Sequence, residues 1–195
     1  MTILHAGADH DARQARDAAR AFKLDADQSA HAALYHPWLI PTHDGAQPVP
    51  PVGAVAGVWC RTDRDRGVWK APANVEVYGA RLSQAVTDTE QAQAEPVAVL
   101  REFTGRGTLV WGARTLNESD DRWKYIPVRR LADTVERDLH RVFRSVMFAP
   151  NTQPTWENLR TAADGYLQDL WRQGGLQGST PKEAYLIQIG QGASP

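Results

Sequence analysis

The chain is poor in cysteine, in methionine, in long apolar runs and in net charge. One cysteine, Cys60, stands among 195 residues, so a disulfide within the chain is excluded and a reducing compartment is the default. No apolar run approaches the ~20 residues that a helical membrane span needs. The opening MTILHAGADHDARQ lacks the basic segment and apolar core of a secretory leader. The 22 basic and 23 acidic residues leave a net charge of −1, which supplies no electrostatic pull toward nucleic acid or an anionic membrane. The cytoplasm is the expected compartment.

What is abundant is tryptophan, with seven copies. Trp is enriched at interaction surfaces as well as in cores. Two of the seven, Trp59 and Trp69, lie within the most distinctive stretch, Pro50–Asn74, PPVGAVAGVWCRTDRDRGVWKAPAN. Two prolines open it, small residues lead to Trp59, six charges crowd into Arg61–Lys70, and Trp69 sits among them. Apolar anchors interleaved with dense charge describe a segment that packs on one side and meets a partner on the other. Trp69 beside Arg66, Gly67 and Lys70 is expected at a contact, because an amphipathic ring next to cations suits an interface.

Residues 1–30 are alanine-rich, charged and nearly free of large apolar side chains. They are read as an arm, helical over Asp11–Phe22 or partly disordered, with Asp9 or Asp11 as a cap. The domain then runs over residues 31–190, and residues 191–195 form a short tail. Leu34–Ile40 reads as a strand that Pro37 confines to an edge or a bulge. Thr42–Pro51 is a turn-rich loop, and Val52–Cys60 a helix with proline in its first turn. Val75–Leu82 reads as one strand, and Thr87–Glu90 as a helix cap. Val97–Phe103 and Thr108–Trp111 form a strand pair around the turn Gly105-Arg106-Gly107. That Gly-x-Gly is not a dinucleotide motif, because a strand follows where a phosphate-binding helix should start.

Pro127–Phe143 is the clearest helix, with an apolar stripe at Val128, Leu131, Val135, Leu139 and Val142. A second long helix runs from about Pro154 to Gln173. Short strands are expected at Ser145–Phe148 and Ala184–Ile189. Strands alternating with long helices give an α/β fold, a mixed sheet flanked by helices, with the extended N-terminal arm preceding it.

Catalytic chemistry finds little footing. His31, His36 and His43 with Asp44 lie within fourteen residues and define the one metal-enzyme alternative. Their spacings of five and seven cross a proline-broken strand and a loop, unlike the short repeated spacings of zinc sites, so surface or edge histidines are the economical reading. Cys60 reads as a small buried side chain rather than a nucleophile. No serine occupies a Gly-x-Ser-x-Gly elbow. The acid pairs Asp63/Asp65 and Asp120/Asp121 are flanked by arginine and read as salt-bridged surface groups. No enzyme activity, cofactor or metal is expected.

Several blocks together resemble a known family. PPVGAVAGVWCRTDRDRGVWKAPAN is similar to the start of the C-terminal domain of contractile tail sheath proteins. AALYHPWL upstream, then FTGRGTLVWGARTL, WKYIPVRRL, FAPNTQPTWENLR and LWRQGGLQGSTPKEAY, follow in that family's order. The resemblance covers roughly Ser29 to Tyr185. It implies a structural subunit of a contractile tail or injection-system sheath, forming hexameric rings stacked helically around an inner tube, with baseplate or tail-end proteins as further partners. It also implies assembly in the cytoplasm into a tail or injection particle, with no nucleic acid and no membrane insertion. Against the family pattern, the large N-terminal region is absent and the C-terminal donating strand is shortened. A sheath-like cap or adaptor that does not polymerise is the alternative within the family. On this reading Arg61, Asp63, Arg64, Asp65, Arg66, Trp69 and Lys70 form subunit contacts. Arg160, Asp164 and Gln168 on the second long helix are candidates for facing the tube.

Overall fold

Five consecutive buried residues, Ala32–His36, form an inner strand of the main sheet. A run buried on both faces belongs to a strand covered on both sides. The computed structural model describes residues 1–190, so the tail expected at 191–195 lies outside the described residues. In chain order the elements are β1 (Thr2–His5), α1 (Ala12–Ala21), α2 (Ala26–Ala30), β2 (Ala32–His36), β3 (Leu39–Pro41), α3 (Val52–Arg66), β4 (Val75–Glu76), β5 (Ala80–Leu82), α4 (Asp88–Ala94), β6 (Ala98–Phe103), β7 (Gly107–Val110), α5 (Ile126–Phe143), α6 (Gln153–Arg172) and α7 (Pro181–Ala184). Among the described residues the main sheet has the order β1-β2-β6-β7-β4, and β3 pairs with β5 in a separate antiparallel ribbon. β1, β2 and β6 run parallel, whereas β6–β7 and β7–β4 are antiparallel. The sheet is therefore mixed, as the sequence led us to expect.

Alternation along the strands divides the core into two layers. Ala33 and Tyr35 of β2, with Ala98 and Leu100 of β6, join Val55, Val58 and Trp59 of α3 on one face. Ala32 and Leu34, with Val99, join Ala12, Ala15 and Ala19 of α1 and Ala94 of α4 on the other. Full burial of a Val or Leu side chain stabilises by about 1.5–3 kcal/mol. Just past β7, Gly112 lies so close to β6 that a Cβ there would meet the Ala98 backbone at 2.9 Å.

The first thirty residues are built into this arrangement rather than extended as an arm. β1 pairs along its whole length with β2, from Thr2 against Ala32 to His5 against Tyr35. Asp11 caps α1 through a capping box with Gln14. The segment holds without large apolar residues because Ala12, Ala15 and Ala19, spaced three and four apart, present a smooth face that comes close to the sheet and α4.

The structure departs from the sequence reading at other points. The expected strand Leu34–Ile40 is split: β2 belongs to the main sheet and β3 to the ribbon, with Pro37 between them unable to donate a ladder hydrogen bond. Val75–Leu82 is likewise two short strands in different sheets. α3 runs on to Arg66, carrying the charge patch on a helix. Ser145–Phe148 is not a strand; a 3₁₀ turn covers Arg144–Val146, and Met147 and Phe148 are exposed at 65% and 96%. Ala184–Ile189 is not a strand either, since Pro181 starts the short helix α7 and the chain beyond is irregular.

The chain divides into two compact units, Met1–Arg130 and Leu131–Pro195. The first holds both core layers. In the second, Ala163 and Leu170 are the buried positions of α6, and the expected apolar stripe of α5 from Leu131 to Val142 is half-buried. Tyr166 of α6 donates to Asp138 of α5 at 3.2 Å.

Candidate subunit interface

α3 sets the geometry of the charge patch. Val55, Val58, Trp59 and Thr62 are its buried residues, at helical spacing. The opposite side exposes Gly53, Gly57, Cys60 and Arg64. Cys60 is thus exposed, not buried as expected, because it falls one position past Trp59 and off the inward stripe.

The six charges divide by direction. Asp63 and Arg130 face each other, with Arg130 Nη1 donating to Asp63 Oδ1 at 2.9 Å and Nη2 donating to Oδ2. The Arg130 guanidinium also lies 4.7 Å from the Trp59 ring centroid, a cation–π arrangement. Arg61 donates to the Glu76 carbonyl and stacks 4.6 Å over the Tyr78 ring. Arg61 and Asp63 therefore serve the unit itself. Arg64, Asp65, Arg66 and Lys70 are exposed. Arg64 pairs with its neighbour Asp65 at 2.8 Å, and that hydrogen bond holds the Asp65 carboxyl below its usual value. Arg66, Lys70 and Asn74 rim an open cleft of about 360 Å³ whose floor includes Arg61 and Thr62.

Trp69 is half-buried, its ring folded against Gly67. Gly67 ends α3 at φ +90°, a conformation that excludes an ordinary side chain, and its N–H donates to Asp63 O at 2.9 Å. The turn brings Trp69 back over the helix end, a placement that spacing along the chain did not disclose.

On α6, Arg160 donates to the Ile189 carbonyl at 2.8 Å, and Asp164 accepts from the Tyr185 hydroxyl at 2.9 Å. Gln168 is half-buried. Two of the three candidates for facing a tube thus tie the segment 185–189 to the helix, and they line a groove of about 600 Å³ with Lys182 and Leu186. Tyr185 was not singled out from the sequence; its position after a Pro-started turn was the available signal.

The histidines do not converge. His36 is buried at 1% exposure, His43 is exposed with Asp44 beside it, and His31 is half-buried against Asp27. Among the described residues, no group of three or more His, Cys, Asp or Glu side chains is placed to hold a metal ion.

With this geometry in view, comparison with known proteins is direct. Residues 118–189 match the phage tail sheath C-terminal domain. The tail sheath protein of Vibrio phage KVP40 is 23% identical over 136 residues, covering 66% of this chain and 20% of that protein. A chain in the contracted PVC sheath complex of an extracellular contractile injection system is 42% identical, with a TM-score of 0.87 over 99% of this chain and 54% of its own length. A chain in the contracted helical sheath of the anti-feeding prophage is 40% identical, with a TM-score of 0.82 over 98% of this chain and 52% of its own. The chain thus spans about half the length of the solved sheath chains and one fifth of the phage protein it matches. The chain is thus similar over nearly its whole length to solved chains of contractile sheaths, and its residues 118–189 match the phage tail sheath C-terminal domain.

Proposed function

We propose that the chain is a structural subunit of a contractile injection-system sheath, assembling with copies of itself around an inner tube and rearranging with them on contraction. The observation that carries this reading is the 42% identity to the PVC sheath chain across 99% of this chain, at a TM-score of 0.87. A chain in the anti-feeding prophage baseplate, 40% identical over 98% of this chain, supports a baseplate protein as a further partner. The particle is assembled in the cytoplasm, and the subunit needs no cofactor, because the energy of contraction is stored in subunit packing.

Within the sheath, Arg64, Asp65, Arg66 and Lys70 form the outward part of the subunit contact, with Trp69 at its edge. Arg61 and Asp63 stiffen the platform from behind. Exposed ion pairs contribute about 0–1 kcal/mol each, so repetition along a polymer sets register without locking it. Gln168, with Arg160 and Asp164, lies on the side of α6 that faces the tube. Sedimentation velocity across a concentration series tests the reading: mass rising to large assemblies supports it, and a monomer at all concentrations sinks self-assembly. Charge reversal of Arg64 and Arg66 together shifts assembly to higher concentration if the contact is correctly placed.

A further inference from the structure

A buried histidine beneath α1 has no role in that reading. His36 ends β2 and is 1% exposed. Its Nε2 lies 3.0 Å from Gln84 Nε2, and the same Gln84 nitrogen donates to the backbone carbonyl of His10, one residue before the N-cap of α1. A carbonyl can only accept, so the Gln84 amide must present N–H at this junction, and His36 Nε2 must be the acceptor. The imidazole is then neutral with its proton on Nδ1, an atom that is buried with no hydrogen-bond partner.

We propose that the relay from His36 through Gln84 to the His10 carbonyl is an acid-sensitive catch that ties the start of α1 to the sheet and lets go when His36 is protonated. Protonation turns Nε2 into a donor aimed at another donor 3.0 Å away. Rotating the Gln84 amide by 180° would satisfy His36 but point an oxygen at the His10 carbonyl. Either way a bond of the relay is lost and a charge sits where water does not reach. The groups that face the ring divide in their effect. Burial, the largest influence, and His10 disfavour the cation, whereas Asp11 at the head of α1 and Glu90 on α4 favour it. Burial prevails, and His36 is pushed down to about 4 from its usual 6.5.

The sign follows from linkage. The unfolded chain takes up a proton at this residue near pH 6.5 and the folded chain near 4, so the stabilisation is complete above pH 6.5 and is lost as pH falls between those values. Across that window His36 alone raises the unfolded-to-folded ratio about tenfold per pH unit.

Deuterium exchange at histidine C2, followed by mass spectrometry on the full chain, reads each imidazole in free or assembled protein. His36 is expected to titrate near 4, with backbone exchange of the peptide 11–22 rising as pH falls from 6.5 and levelling off below 4, relative to a His36→Phe variant at each pH. Titration of His36 near 6.5, or an α1 peptide whose exchange does not change across that window, overturns the proposal. Should His36→Phe fail to fold, Gln84→Leu serves as the reference for the α1 peptide, and titration of His36 near 6.5 in the unmodified chain still overturns the proposal.

Discussion

Asp63 and Arg130 are joined through both carboxylate oxygens and both terminal guanidinium nitrogens, with Nη1 to Oδ1 at 2.9 Å, and they retain only 30% and 16% of their side-chain exposure. A bidentate pair of this kind fixes orientation as well as charge. It pins the C-terminal half of α3 and leaves the next charges, Arg64 to Arg66, standing outward from a rigid base. Asp63→Ala is expected to cost about 1.5–3 kcal/mol, the range for a hydrogen bond to a charged group, in urea unfolding of the dissociated chain. Arg64→Ala should leave the same measurement unchanged, because its pairing with Asp65 is fully in solvent. Equal effects of the two substitutions would erase the division into inward and outward charges.

Gly67 is required by backbone conformation and by the Trp69 ring together. Its φ of +90° and ψ of 158° suit glycine alone, and a Cβ there would fall inside the Trp69 indole. Gly67→Ala is expected to lose about 1–3 kcal/mol and to expose Trp69, seen as a red shift in tryptophan emission. An unshifted spectrum with unchanged stability contradicts the packing described.

These two sites also mark where the sequence was legible and where it was not. The long helices α5 and α6, the β6–β7 hairpin and the Thr87 cap of α4 could be read because periodicity, turn glycines and capping boxes are local signals. Pairing with a distant residue is not local, so Asp63 looked like a surface charge until Arg130 came beside it. Alanine misled in the other direction. Ala15 is fully buried, yet a search for large apolar anchors assigns its helix to an arm. The strands expected at Ser145–Phe148 and Ala184–Ile189 had apolar residues of strand type but pair with no edge among the described residues, and a strand requires a partner. The outward charges were visible as a cluster, although their division by direction was not.

Tyr35 and Trp59 provide a pH test in the core. Trp59 Nε1 donates to the Tyr35 hydroxyl at 3.1 Å, and burial raises the Tyr35 pKa above its ordinary value of 10. The unfolded tyrosine ionises near 10 while the folded one stays neutral, so this contribution is complete below pH 10 and is lost as pH rises further. Tyr35→Phe should cost about 1–3 kcal/mol at neutral pH by orphaning the indole N–H, and should flatten the loss of stability above pH 10. Thermal melts at pH 7 through 11 compare the two.

On α6, the contacts of Arg160 with Ile189 and of Asp164 with Tyr185 predict a tether that can be cut without unfolding the helix. Arg160→Ala combined with Tyr185→Phe should raise amide exchange over residues 185–190 by several-fold and leave exchange in the middle of α6 unchanged. Loss of protection throughout α6 would mean that the segment supports the helix rather than resting on it.

Negative-stain electron microscopy of the purified chain tests the central claim most directly. The account predicts rings or tubes of a regular repeat, dispersed by charge reversal at Arg64 and Arg66. A field of uniform monomeric particles at every concentration, or tubes indifferent to those substitutions, would contradict it.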